Sequence, residues 1–468
     1  MPQKSKPPGK STKETKPNKK STSTSLTRRK TQEQQQQRQP DSSTENQPEN
    51  QYEMDISATI PITLQQLLLN AFKAALLPTH SSSAETQDSG NPVADENEEA
   101  LDIKSLIQRI KSHLYNRDFD SAFADADEEL LRAYALRWSA ARALGYAGLF
   151  KSLLGVLVME GRGDSARGSG DSDPSALTTM NHVVCIGGGA GAEIVALASA
   201  WRDLIDEGAI LGSQKDLSGS LDALSLDNRG VDEETESTSS TRGTAQHPQP
   251  QPSPPSTLSI AAVDIADWST VVKRLSSTIQ SPNVPGSKSH PAPLLNTQTQ
   301  DSNTTASITN FKVDFQRLDV LSLTDPSLTT LFPPSTTLVT LMFTLNELFS
   351  TSLPKTTSFL LRTTDLLGPG TILLVVDSPG SYSTLKLGRS TPAAGGGDGT
   401  GSVQERQYPM KFLLDHTLLS VARGKWERVF SRDSRWWRRD AGRLWYDVGE
   451  GAGLEDMRFQ IHVYRRLK

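Results

Sequence analysis

Near the middle of the chain, Ile186-Gly187-Gly188-Gly189-Ala190-Gly191 follows the apolar run Val183-Val184-Cys185 and leads into Ala192-Glu193 and the helical pattern IVALASAWRDL. This strand, glycine turn and helix leave few possible folds. Absent side chains let a backbone turn tightly and let a ligand approach it closely. A helix starting at about Ala192 aims its first amides at that ligand. The alternation continues downstream. TLSIAAVDIADW (257–268) is a strand ending in Asp264, and VDFQRLDVLS (313–322) is a third. STTLVTLMFTLNELF (335–349) is a fourth and GTILLVVDSP (370–379) a fifth, preceded by the Gly-Pro-Gly turn at 368–370. MRFQIHVYRRL (457–467) closes the chain as another strand. Strands alternating with helices predict an α/β fold, a Rossmann-like doubly wound and mostly parallel sheet. Its site belongs at the carboxyl edge of the strands.

Composition decides how much of the 468 residues this fold uses. Only 35% are hydrophobic, against the ~45–50% apolar usage of ordinary globular chains. One sizeable folded domain with disordered tails and insertions is therefore expected. Residues 1–50 are Lys-rich, then Gln-rich, and predict a disordered basic tail. Residues 51–160 predict a helical region, with helices over 62–77, 101–115 and 126–155 and a polar linker over 80–99. A flexible joint is expected over 160–175. Residues 176–468 predict the α/β domain, interrupted by low-complexity insertions near 213–256, 277–307 and 390–404. Cys185 is the one cysteine, which excludes an intramolecular disulfide framework and a Cys-based zinc finger. It reads as a small buried hydrophobe. No apolar run reaches the ~20 residues of a membrane helix, and the N-terminus has no apolar signal region. A soluble intracellular protein without membrane contact is expected.

The net charge of −5 conceals an asymmetry. Residues 1–38 hold eleven Lys or Arg against Glu14 and Glu33. Residues 423–443, RGKWERVFSRDSRWWRRDAGR, hold eight against three acids. Such segments suit a polyanion, although a solubilising tail and a solvated face have the same composition.

A nicotinamide site would show GxGxxG with an acid ~20 residues on, and the glycine spacing here disfavours it. GxGxG followed by Ala192-Glu193 resembles the first motif of the class I S-adenosylmethionine-dependent methyltransferases. The resemblance implies S-adenosyl-L-methionine as cofactor. Asp264 would bind its ribose hydroxyls and Asp319 would sit near its adenine. Asp319 alternatively caps a turn. Many such enzymes carry an acid where this chain has Cys185.

Five further strings narrow the resemblance: YNRDFDSAF (115–123), AYALRWSAARALGY (133–146), VVCIGGGAGAE (183–193), TLMFTLNELFST (340–351) and LLVVDSPGSYST (373–384). Together they resemble the fungal 25S ribosomal RNA uridine N(3)-methyltransferase family over about residues 100–468. The resemblance implies a seven-stranded class I methyltransferase acting on large-subunit ribosomal RNA or the pre-ribosome, in the nucleus and its nucleolus, with the cytoplasm as the alternative. It places Gly187, Gly189 and Gly191 at the methionine and ribose end of the cofactor. Thr344-Leu345-Asn346-Glu347 falls beside the transferable methyl group. That segment departs from the Asn/Asp-Pro-Pro-Tyr form used on exocyclic amino groups, which disfavours amino methylation.

A uracil ring N–H must lose its proton during transfer. Glu347 or Asp377 is the candidate base and Asn346 the candidate holder of a base carbonyl. Acids after strands also cap helices. In residues 423–443, Arg and Lys suit phosphates and Trp426, Trp436 and Trp437 suit base stacking, or the tryptophans pack the core. Arg137, Trp138 and Arg142 are candidates to cover the cofactor, or Trp138 packs the core. Two other readings remain: a class I methyltransferase acting on a protein or small molecule, and a non-enzymatic ribosome-assembly RNA-binding protein.

Overall fold

A computed structural model describes residues 58–77, 101–116, 118–167, 180–225, 256–296, 309–380, 382–387 and 404–467. These fall in one compact unit, residues 53–468. The tail over 1–50 and the linker over 80–99 lie outside the described residues.

The chain begins with α1 (Ile62–Leu76) and α2 (Ile103–Tyr115), the latter capped by Asp102, whose carboxylate accepts from the Ser105 amide. A π turn over Asp120–Ala124 leads to α3 (Glu128–Tyr134), a second π turn over Ala135–Ser139, and α4 (Ala140–Arg167). The single helix expected over 126–155 thus contains a widened turn at Ala-Leu-Arg-Trp-Ser, the kind of irregularity often found at functional sites. The helix also runs on to Arg167, into the stretch expected as a joint.

β1 (Met180–Ile186) then gives way to α5 (Ala192–Ser225), β2 (Ser256–Asp264), α6 (Ser269–Ile279), β3 (Thr309–Arg317) and α7 (Asp325–Leu331). β4 (Thr336–Met342), α8 (Leu345–Thr351), α9 (Leu353–Leu366) and β5 (Ile372–Asp377) follow. A two-stranded ribbon, β6 (Tyr382–Leu387) and β7 (Gln404–Pro409), precedes α10 (Met410–Asp415), β8 (Trp426–Trp437) and β9 (Met457–Arg466).

The main sheet has the order β3-β2-β1-β4-β5-β9-β8. Its first five strands are parallel, whereas β9 runs antiparallel to both β5 and β8. Chain order reverses between β1 and β4, which opens a crevice at their carboxyl ends. The central strands are continuous apolar runs because helices cover both faces. Every residue of β5 is buried. One core joins α1 to α6 with the first face of the sheet, and a second lies under α7 to α10. Fully buried side chains such as Phe72 and Phe150 each contribute about 1.5–3 kcal/mol.

The helical region packs onto the sheet, since Phe72, Leu136 and Phe150 share one core with Val183 and Leu258. Two expected boundaries change. The insertion expected from 213 begins instead as the end of α5, since Leu217, Leu221 and Leu224 repeat at helical spacing among the polar residues. The stretch expected as an insertion from 277 is packed as far as residue 296. Val284, Leu294 and Leu295 are buried, Asn70 Nδ2 donates to Pro285 O at 2.6 Å, and Arg202 Nη1 donates to Pro293 O at 3.0 Å. A few apolar residues in a Pro- and Ser-rich stretch are enough to seat it.

Candidate active site

The glycine turn lies at the carboxyl end of β1, against the two neighbouring strands. Gly187 has φ +77°, a left-handed conformation that favours glycine. Its amide donates to Val263 O at 2.7 Å, and a Cβ on it would press on the Thr344 side chain beyond β4. Gly189 is needed for close approach. A Cβ there would stand 2.8 Å from the Asp264 Cβ and closer still to the Trp268 indole. The Gly189 amide donates to Asp264 Oδ2 at 3.2 Å, and the Ala266 amide donates to Oδ1 at 3.2 Å. Gly191 opens α5, and its carbonyl accepts from the Val195 amide at 3.2 Å. These glycines therefore fit the turn against protein as well as against a ligand. Burial pushes the Asp264 carboxyl up to about 6, against the pull of the Ala266 and Gly189 amides.

The second part of the site follows β4 and β5. Phe343 holds φ +59°, rare for a bulky residue and typical of strain kept at functional sites. Its amide donates to Val376 O at 2.6 Å, which ties the turn to β5. Asn346, in the first turn of α8, has its amide donating to Asp377 Oδ2 at 3.0 Å, while the Ser378 amide donates to Asp377 Oδ1 at 2.8 Å. Asn346 Oδ1 is buried without a hydrogen-bond partner. Such an acceptor calls for a donor from outside the described residues. Glu347 stands at the rim. Desolvation of its carboxyl, then the nearby Asp377, raises its pKa to about 7.

A hydrogen-bond chain supports this second part from the edge of the sheet. Ser431 Oγ and His462 Nδ1 are 2.8 Å apart, and His462 Nε2 and Gln460 Oε1 are 3.1 Å apart. Gln460 Nε2 donates to Ser378 O at 2.8 Å. Burial pulls the His462 pKa down to about 4, so the ring is neutral and accepts at one nitrogen while donating at the other.

The helices before β1 supply the cover. The half-buried Arg142 donates from Nη1 to Tyr134 Oη at 2.8 Å, and its guanidinium lies 4.8 Å from the centre of the Phe343 ring. Among the described residues no carboxylate comes within ion-pair distance of Arg142. Glu193, the acid in the first turn of α5, is buried, and desolvation raises its pKa to about 8 despite Arg142. Tyr134 packs on Trp138 and on Trp268, at 5.0 Å and 5.7 Å between ring centres.

The structure therefore brings together Gly187, Gly189, Gly191, Asp264, Asn346 and Glu347. Asp319 lies at the same edge, next to Leu318, whose amide donates to Asp264 O at 2.8 Å. Its carboxylate is engaged in its own turn, accepting from the Leu321 amide at 2.9 Å and from the Ser322 hydroxyl. Trp426, expected as a stacking candidate, is buried, and its Nε1 donates to Thr364 Oγ1 at 2.9 Å. It packs the second core because β8 is a sheet strand rather than an isolated basic segment. Arg137 is buried and paired with Glu455. Tyr134 and Phe343 lie within two of the strings that carry the resemblance but had no role assigned, and Trp268 and His462 carry no short sequence signal. Only the fold brings them to the site.

The donor set fits S-adenosylmethionine. Its ribose hydroxyls suit the Asp264 carboxylate, and its amino-acid carboxylate suits Arg142, which among the described residues has no carboxylate within ion-pair distance. The chain is also similar to known proteins. Residues 88–465 match the model of a family described as SAM-dependent methyltransferases. The chain is 31% identical over 379 residues to the 25S rRNA (uridine(2843)-N(3))-methyltransferase of Saccharomyces cerevisiae, covering 79% of this chain and 80% of that protein. Among solved structures, a SAM-dependent methyltransferase from Methanosarcina mazei covers 62% of this chain and 93% of its own, at 11% identity and TM-score 0.28. The 16S rRNA (adenine(1408)-N(1))-methyltransferase from Catenulisporales acidiphilia covers 64% and 96%, at 10% identity and TM-score 0.25.

Proposed function

Because the chain belongs to the S-adenosylmethionine-dependent methyltransferases, we propose that it methylates uridine at N(3) in large-subunit (25S) ribosomal RNA. The observation that carries this reading is the similarity to the yeast uridine N(3)-methyltransferase along four-fifths of both chains. The Thr-Leu-Asn-Glu segment at 344–347, in place of an amino-methylating motif, supports it.

The bound cofactor supplies an activated methyl group. The glycine turn and Asp264 would hold its nucleoside side, and Arg142 would hold its carboxylate. Asn346 holds the uracil edge, its side-chain amide nitrogen donating to a base carbonyl, which leaves the ring N–H to Glu347. Glu347, with a pKa near neutrality, takes that proton. Asp377 orients Asn346 through its amide and keeps Glu347 basic by like-charge repulsion. Closing such a site positions the reacting atoms and excludes water. The target base must be unpaired or flipped. The pre-ribosome in the nucleolus is where such RNA is accessible, and the basic residues 1–38 add attraction for phosphates.

Incubating the purified protein with cofactor and large-subunit RNA tests the reading. N(3)-methyluridine among the digested nucleosides is expected. Methyl transfer to protein alone, with none to RNA, contradicts it.

A further inference from the structure

Trp436 and Trp437 are consecutive in β8 and so point to opposite faces of the sheet. Trp437 turns inward, and a Cβ on Gly145 of α4 would stand 3.4 Å from its ring. Trp436 turns outward and is 52% exposed. Two guanidinium groups flank it, Arg438 at 5.1 Å and Arg458 at 5.9 Å from its ring centre. Arg458 is held by a bond from Nε to Ser434 Oγ at 2.9 Å, and Arg438 has Asp456 at 3.6 Å.

The position matters as much as the composition. β8 and β5 are both antiparallel to β9, so they run in the same direction and Trp436 lies at the carboxyl edge with the site. Asp377 pairs with Gln460 and Trp436 with Arg458. Two residues along the strand and two strands across put Trp436 roughly 7 Å beyond Asp377 and about 10 Å to its side. An exposed aromatic between arginines is what single-stranded nucleic-acid surfaces use, with the ring stacking a base and the cations meeting phosphates.

We propose that Trp436, bracketed by Arg438 and Arg458, is a stacking platform for an unpaired base of the RNA strand close to the target uridine. The proposal rests on the RNA reading above. A protein partner on the same face is the competing occupant, and the charge complementarity with phosphate favours RNA.

The test uses the full chain and a single-stranded oligonucleotide of large-subunit RNA, with binding followed by fluorescence anisotropy. W436A should weaken RNA binding about 5- to 150-fold. It should leave the melting temperature and S-adenosylmethionine affinity unchanged, and W436F should restore most of the affinity. R438Q combined with R458Q should make the slope of log K against log salt shallower by about 0.7 for each phosphate no longer neutralised. Wild-type protein that methylates the RNA, together with W436A that binds it equally well, overturns the platform and leaves the proposed function standing. Wild-type protein that neither binds nor methylates RNA overturns both.

Discussion

The two sides of the crevice are built by different means. On the β1–β2 side, the backbone makes the site: Gly187 turns with positive φ, Gly189 lets Trp268 and Asp264 close in, and one carboxylate is fixed by two amides. On the β4–β5 side, side chains and strain make it. Phe343 holds an unfavourable backbone, Asp377 anchors Asn346, and Glu347 sits at the rim with its pKa near 7. The first arrangement suits a fixed cofactor that must be gripped identically each time. The second suits a base that must be held while a proton leaves it.

If that division is right, damage to one side leaves the other working. The largest effect belongs to Gly189→Val, whose side chain would strike Trp268 and Asp264. Calorimetry should show no S-adenosylmethionine binding, and the melting temperature should fall, since overpacking costs about 1–3 kcal/mol. Unchanged affinity in a folded variant would separate the turn from the cofactor. Next comes Glu347→Gln, which should lower turnover by roughly 10²–10⁴ while cofactor affinity holds. A drop in affinity in place of turnover would move Glu347 to the cofactor side. Asp264→Asn should do the reverse. It should weaken cofactor binding by about 10- to 100-fold by removing a charged hydrogen bond, with turnover at saturating cofactor nearly preserved.

Smaller effects appear with pH. A base with a pKa near 7 in the cofactor-free protein works only when deprotonated. The rate should therefore climb as pH rises toward 7, with the limb moved lower by the bound cation, and Glu347→Gln should flatten it. A separate effect, on stability rather than on turnover, concerns His462, held neutral in the support of the second side. Its folded pKa of about 4 lies below the ordinary value of 6.5. The unfolded chain binds the proton first, so stability from this group is complete above pH 6.5 and is lost as pH falls toward 4. The decrease amounts to about 1.4 kcal/mol per pH unit within that window. Chemical denaturation of His462→Gln should lack this slope.

The same division explains what could be read from the sequence. Strand, glycine turn, helix start and the acid at Asp264 are local patterns, so the place of the β1–β2 turn was legible, whereas the Trp268 ring that closes on Gly189 was not. The string at 344–347 placed Asn346 and Glu347 just after β4. The anchor of Asn346 on Asp377 depends on β4 pairing with β5, and the support from His462 depends on β9 inserting beside β5, pairings with no local signature. The strand β8 was hidden by its charge, because an edge strand exposes polar residues and carries two bulges. That concealment made Trp426 resemble its neighbours, although burial sets it apart.

Mass spectrometry of nucleosides from large-subunit RNA gives the most direct test. RNA from cells lacking this protein should lose one N(3)-methyluridine, wild-type protein should restore it, and the Glu347→Gln form should not. Full N(3)-methyluridine without the protein would contradict the account.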